Sequence, residues 1–233
     1  MSLAERVLAA LSEVHDPELD EPITALRFVT ACEATPDGDV EVVLRLPTPQ
    51  CAPNFAYLMA ADARSAVRRL PGVRSMAVRL EDHYTGEEIN AAVARGDGFA
   101  GAFPGETDDD ELDALRTLFR RKALVARQAT LCEALLADGS TPEQVTARRV
   151  ADLPDVPDAR RCLELRAQLG IGRERDAAAL VLPNGEPVPP DELVRWLRKA
   201  RLVRASLEAN GGICRALLQI RHHLAPDPQE VAT

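Results

Sequence analysis

Leu46-Pro47-Thr48-Pro49-Gln50-Cys51-Ala52-Pro53 is the stretch on which the fold turns. Before it, Val40, Val42, Leu44 and Leu46 alternate with Glu41, Val43 and Arg45, the period of a strand with one apolar face. After it, Phe55, Leu58, Met59, Asp62, Ala66 and Leu70 fall roughly along one side of a helix spanning 55–70. The stretch is therefore a strand-to-helix corner, and Cys51 stands at the helix opening. A thiol there faces unpaired backbone N–H groups and the positive end of the helix dipole. Both favour thiolate, the form that binds metal or attacks an electrophile. The competing reading is a small apolar residue that fills the first turn.

Upstream, Leu3, Val7, Leu8, Leu11 and Val14 recur at three and four, which predicts an amphipathic helix over 2–14. Ser2 with Glu5 forms a capping-box pattern. Pro17 ends this helix near His15, because a residue before proline disfavours the α region. The acidic turn His15-Asp16-Pro17-Glu18-Leu19-Asp20 follows. Ile23–Ala34 and Val40–Leu46 read as strands joined through Pro36-Asp37-Gly38-Asp39, a hairpin signal. Downstream, Pro71-Gly72 stops the second helix, and Val73, Met76, Val78 and Leu80 predict a third strand. The order is helix, strand, strand, helix, strand.

With Asp16-Pro17-Glu18-Leu19, Thr48-Pro49-Gln50-Cys51 and Leu70-Pro71-Gly72-Val73 in this order and spacing, residues 3–82 resemble the MIP18-like proteins (domain of unknown function 59), which include the SufT and PaaD types. The resemblance covers about a third of the chain. Two departures stand out: Ala52 separates Cys51 from Pro53 where the family often has Cys-Pro, and Leu26-Arg27 stands where it often has Leu-Gly. The resemblance implies a role in iron–sulfur cluster assembly or delivery, with PaaD-type members accompanying a multicomponent oxygenase. It further implies Cys51 as a transient ligand of iron or a cluster, with Asp16 and Glu18 tuning or completing the site. His83, just after the third strand, is a weaker metal candidate, and Thr48 and Pro49 are candidates for partner contact.

Residues 81–94 enter another short helix, with Thr85 and Glu88 placed to cap it. Gly96, Gly98, Gly101, Pro104 and Gly105 then read as a linker over 96–106. The fold class expected is α+β: an α-β-β-α-β domain over 1–95, a mostly helical domain over 107–225 and a loose tail over 226–233. In the helical part Thr107 precedes the acidic turn Asp108-Asp109-Asp110-Glu111, and an apolar stripe runs from Leu112 to Leu136. Pro183-Asn184-Gly185-Glu186 reads as a tight turn. Asn210-Gly211-Gly212 is expected to break a helix over 191–209 from a last one over 213–224. Trp196 is expected to anchor the helical core or an interface.

The chain has 233 residues, with 28 Lys and Arg against 37 Asp and Glu, a net charge of −9. That balance argues against nucleic-acid binding, which needs a clustered basic surface. No run approaches the ~18 apolar residues of a membrane span, and residues 1–20 lack a signal-peptide h-region. The five cysteines are scattered, form no Cys-x-x-Cys and fit a reducing cytoplasm. Cys32, Cys132, Cys162 and Cys214 lie in apolar patterns and are expected to pack in the core. Adjacent His222 and His223 point about 100° apart on a helix and are expected at the surface.

Nucleophile elbow, Walker loop, His-Glu-x-x-His and dinucleotide fingerprint are absent, so a conventional enzyme is not expected. Three functions are weighed. The first is an accessory or maturation factor assisting iron or iron–sulfur cluster assembly for a client metalloenzyme, with a cluster-assembly protein as a further partner and a homodimer allowed. The second is a metal-free adaptor docking subunits through its helical domain. The third and weakest is a cysteine nucleophile built from Cys51 and His83.

Overall fold

In the computed structural model, which describes residues 1–105 and 109–222, Ser2 starts α1 (Leu3–Leu11) as the capping box requires. Its hydroxyl accepts from the Glu5 N–H at 3.2 Å, and the Glu5 carboxylate accepts from the Ser2 N–H at 2.7 Å. Val7 and Leu11, four residues apart on one face, are fully buried. The helix ends three residues earlier than its apolar period, because Val14 turns away to accept a bond from the Ile23 N–H at 2.9 Å.

The run expected as one strand from Ile23 divides. Residues 22–28 form a turn in which the Phe28 N–H donates to the Ile23 carbonyl at 2.9 Å, and only Val29–Ala34 is strand β1. Ile23, Leu26 and Phe28 are nonetheless core residues, which is why an apolar run alone cannot tell strand from buried turn. Arg27 takes a positive φ of 59°, at the position where the family often carries glycine.

β1 joins β2 (Asp39–Arg45) through the expected hairpin, whose Gly38 has φ +89°. A Cβ there would stand 2.3 Å from the Gly72 carbonyl oxygen, so only glycine lets the two turns meet. β2 is central in the sheet, antiparallel to β1 and parallel to β3 (Ser75–Glu81). A parallel pair needs a crossover, supplied by α2 (Pro53–Arg68), which packs on β3 with α3 (Gly86–Arg95). Arg45 and Glu81 end the two strands in register and form an ion pair at 2.5 Å. The loops 46–52 and 82–85 therefore leave from one edge, at the carboxyl ends of parallel strands.

The described residues divide into two compact units: residues 1–114 with the chain after 209, and residues 115–209. In the first, residues 96–105 lie in turns whose Phe99 is 6% exposed and meets Tyr57 edge-on, with ring centroids 5.4 Å apart. The second contains most of α4 (Asp109–Ala137), α5 (Pro142–Ala147), α6 (Pro157–Leu169) and the first half of α7 (Leu193–His222). Thr141 caps α5 in a box with Gln144, and the turn at 183–186 brings Val181 against Pro187. Two buried polar side chains hold the chain between α6 and α7. Gln128 bonds both backbone groups of Val181, at 2.8 and 3.0 Å, and the Arg166 guanidinium donates to the carbonyls of Gly172, Ala178 and Ala179.

The expected break at Asn210-Gly211-Gly212 does not occur. α7 continues through it to His222. Two helical glycines cost ~1 kcal/mol each, and docking of the segment beyond them on the first unit offsets that cost. Asn210 reaches Glu18, Arg215 pairs with Glu21 at 2.6 Å, and Leu218 is 2% exposed in the first unit's core. Glu106 of the expected linker, Thr107 and Asp108 before α4, His223 with the end of the expected last helix at 223–224, and the tail over 226–233 lie outside the described residues.

Candidate functional site

Asp16 is held by local geometry. Its carboxylate Oδ1 accepts from the N–H groups of Glu18 at 2.8 Å and Leu19 at 2.9 Å, which folds Pro17 into a tight turn. The Asp16 N–H donates to Glu21 O, and the Asp20 N–H to Asp16 O, both at 2.9 Å. Asp20 sits at φ +54°, a conformation an Asp tolerates better than most residues. Asp16 is 7% exposed. Burial lifts its carboxyl to about 6, the two backbone N–H bonds oppose the rise, and the neighbouring Glu18 and Glu21 charges add to it.

Cys51 lies just before Ala52, the N-cap of α2, so it precedes the first turn instead of filling it. The Thr48 hydroxyl lies 3.6 Å from its sulfur, and its N–H donates to the Thr48 carbonyl at 3.4 Å. Two bonds from the loop after β3 fix the corner: Tyr84 N–H to Pro49 O at 3.1 Å, and His83 Nε2 to Cys51 O at 2.8 Å. Because His83 Nδ1 accepts the Thr85 N–H at 3.2 Å, the ring proton sits on Nε2 and is donated. Burial lowers the His83 pKa, so the ring is neutral at pH 7, and both its nitrogens are spent on the backbone. His83 thus orients the corner and bonds the Cys51 carbonyl, not its sulfur. Thr85, read as a helix cap, instead places its hydroxyl 3.1 Å from His83 Nδ1.

The residue that sequence reasoning left in the core is Cys214. It is half-buried on the same apolar cluster as Cys51. Asn210, Cys214, Leu218 and Arg221 share one face of α7. The Asn210 amide donates to Glu18 at 3.2 Å, Leu218 is buried, and Arg221 pairs with Asp82. Cys214 is thereby placed between the acidic turn and the Cys51 corner. Burial first, then the charges of Asp16, Cys51 and Glu18, push its thiol up to about 11. Asp16, Glu18, Cys51 and Cys214 therefore form one neighbourhood. The i, i+4, i+8, i+11 spacing of 210–221 was the available signal, hidden by reading the two glycines as a helix end. Trp196 lies in the other unit, 8% exposed among Leu193, Leu197 and Ala200. Cys132 and Cys162 are buried as expected.

The donor set does not close around a cluster. Iron–sulfur clusters are held by four ligands, mostly thiolates. This neighbourhood has two thiols, the Asp16 carboxylate engaged with backbone N–H groups, the Glu18 carboxylate bonded to the Asn210 amide and a histidine with no free nitrogen. Among the described residues no group of three or more His, Cys, Asp and Glu could hold a metal ion. None of the described helices is long and apolar enough to cross a membrane.

Comparison with known proteins agrees with this domain. The model of the family described as iron–sulfur cluster assembly protein matches residues 4–80. An uncharacterized protein of Methanocaldococcus jannaschii is 33% identical over 90 residues, which are 39% of this chain and 93% of that protein. The chain belongs to the iron–sulfur cluster assembly family. No solved structure matches it significantly. The family match ends one residue before the close of β3, so His83 and the α7 segment that brings in Cys214 lie outside the matched residues.

Proposed function

We propose that this chain is an accessory factor that handles iron or an iron–sulfur cluster in transit to a client metalloenzyme. The observation that carries the reading is the placement of two thiols, Cys51 and Cys214, on one apolar cluster, with Cys214 within reach of the charges of Cys51 and the buried Asp16 carboxylate, in an assembly-family domain. Soft thiolates suit iron and cluster ligation, whereas a set of only two leaves the remaining positions to a donor or client protein. Such a shared site favours transfer over storage.

The chain's own residues have separate tasks in this reading. The Thr48 hydroxyl stands 3.6 Å from the Cys51 sulfur and shares a hydrogen bond with it, while His83 holds the carbonyl side of the corner so that the sulfur keeps its direction. Asp16 keeps the acidic turn folded and gains or loses a proton near neutrality. An arriving cation favours the charged form of the carboxyl and thiols, and binding releases protons. The helical residues 115–209 recognise the client, and an iron-dependent oxygenase is one class of client consistent with the PaaD-type resemblance.

The test is reconstitution with ferrous iron and sulfide, followed by visible absorbance and by transfer to an apo-ferredoxin. Cys51→Ala and Cys214→Ala are each expected to lower both loading and transfer at least tenfold. Unchanged transfer in both variants overturns the role. The alternative, a metal-free adaptor, predicts that both cysteine variants behave like the wild type.

A further inference from the structure

The second unit has a groove that the cysteine neighbourhood does not use. It is a cavity of about 540 Å³ between α4 and α7. Buried Trp196 and Ala200 form its floor, and half-buried Val125 and Val203 stand at its sides. Glu192, just ahead of α7, and positions 195, 196, 199, 200 and 203 on α7 line the groove in the i, i+3, i+4, i+7 pattern of one helix face, about 16 Å long at 1.5 Å per residue. Leu118, half exposed at 48%, extends the apolar lining along α4 toward solvent. A long apolar trough between two helices is the shape that receives the apolar face of a third.

The rim has a definite charge. Arg121, Lys122, Arg195 and Lys199 are exposed around the opening, against one carboxylate, Glu192. Glu192 is already paired with Arg195 at 2.7 Å, and Lys122 lies over the Phe119 ring at 4.5 Å. Arg121 and Lys199 have no carboxylate partner among the described residues. In a chain of net charge −9, a basic rim of this kind is a local reversal of sign. Like charges so arranged steer an opposite one and are silent toward a neutral ligand.

We propose that this groove binds an acidic amphipathic helix of a partner protein, about three turns long, with apolar residues laid on Trp196 and carboxylates facing Arg121, Lys122 and Lys199. This rests on the reading that residues 115–209 recognise a client, and it names the chemistry by which they do so. It does not depend on any metal at Cys51.

Trp196 is the only tryptophan in the chain, so its fluorescence reports the groove directly. The full chain is titrated with three synthetic peptides: a capped helix with Leu at i, i+3, i+4 and i+7 and Glu on its flanks, the same composition scrambled, and the helix with Lys replacing Glu. Decanoate forms a fourth arm. The acidic helix is expected to shift the emission saturably, to bind at least tenfold more tightly than the other two peptides, and to weaken about threefold or more between 50 and 500 mM salt. Arg121→Glu with Lys199→Glu, both at exposed positions, is expected to reverse the preference toward the Lys peptide. Should that variant misfold, the peptide ranking and salt dependence of the wild type decide alone. Equal binding of the three peptides, no saturable response, or decanoate outcompeting the acidic helix at equal concentration each overturns the proposal. Cys51→Ala is expected to leave peptide binding unchanged, which keeps failure of the groove separate from failure of the iron-handling role.

Discussion

Replacing Asp16 by Asn tests the energetics of the acidic turn most directly. Asn keeps an Oδ1 that can accept the Glu18 and Leu19 N–H bonds, and it removes the charge. The folded carboxyl titrates at about 6 and the exposed one at 3.8. Between those values the folded state keeps a proton that the unfolded chain has released. The carboxyl's contribution is therefore fully present below about pH 3.8 and is lost as pH rises through about 6. About two pKa units at ~1.4 kcal/mol each give roughly 3 kcal/mol. Burial sets this balance first, the backbone bonds from Leu19 and Glu18 oppose it, and the charges of Glu18 and Glu21 on the turn add to it. The extra amide donor of Asn returns about 1 kcal/mol if it finds no acceptor. Asp16→Asn is thus expected to match the wild type within about 1 kcal/mol at pH 4 and to exceed it by about 2–3 kcal/mol at pH 8. Urea denaturation read from the amide signals of Val42 and Leu44 follows this unit, apart from the Trp196 fluorescence of the other. Parallel stability curves for the two proteins across pH 4–8 would refute the argument, because they would mean that Asp16 carries no buried charge.

Other perturbations probe the scaffold. Gly38→Ala puts a methyl 2.3 Å from the Gly72 carbonyl at a positive φ, and a loss of about 2–4 kcal/mol in urea denaturation is expected. Arg166→Leu strips the carbonyls of Gly172, Ala178 and Ala179 of their donors within a buried core, and should cost about 3 kcal/mol or more, read by the midpoint of Trp196 fluorescence on thermal unfolding.

Local chemistry made much of the first unit legible. The Ser2–Glu5 box, the hairpin at Gly38 and the alternation through β2 are short-range patterns, and each formed as read. Two parallel strands ending in register put the loops of Cys51 and His83 at one edge. What the chain order concealed was long-range. The turn at 22–28 buries Ile23, Leu26 and Phe28 as a strand would bury its apolar face, so composition could not separate them. The helix across Gly211-Gly212 runs against local propensity and is held by contacts to residues nearly two hundred positions earlier. Cys214 is part of the site through those contacts, and nothing in its immediate sequence says so. Arg27 at φ +59° shows the converse: a departure from the family pattern that leaves the turn intact.

The docked end of α7 also sets terms for anything that approaches from solution. Asn210, Arg215 and Arg221 occupy Glu18, Glu21 and Asp82, carboxylates on both sides of the Cys51 corner. A tethered segment of this kind acts at an effective concentration of order millimolar, whatever the concentration of the protein. An incoming protein segment that seeks the same carboxylates meets a resident rival that never diffuses away. Entry to the corner is then a matter of displacement, graded by how much of the helix must be lifted and by how strongly the newcomer holds what it exposes.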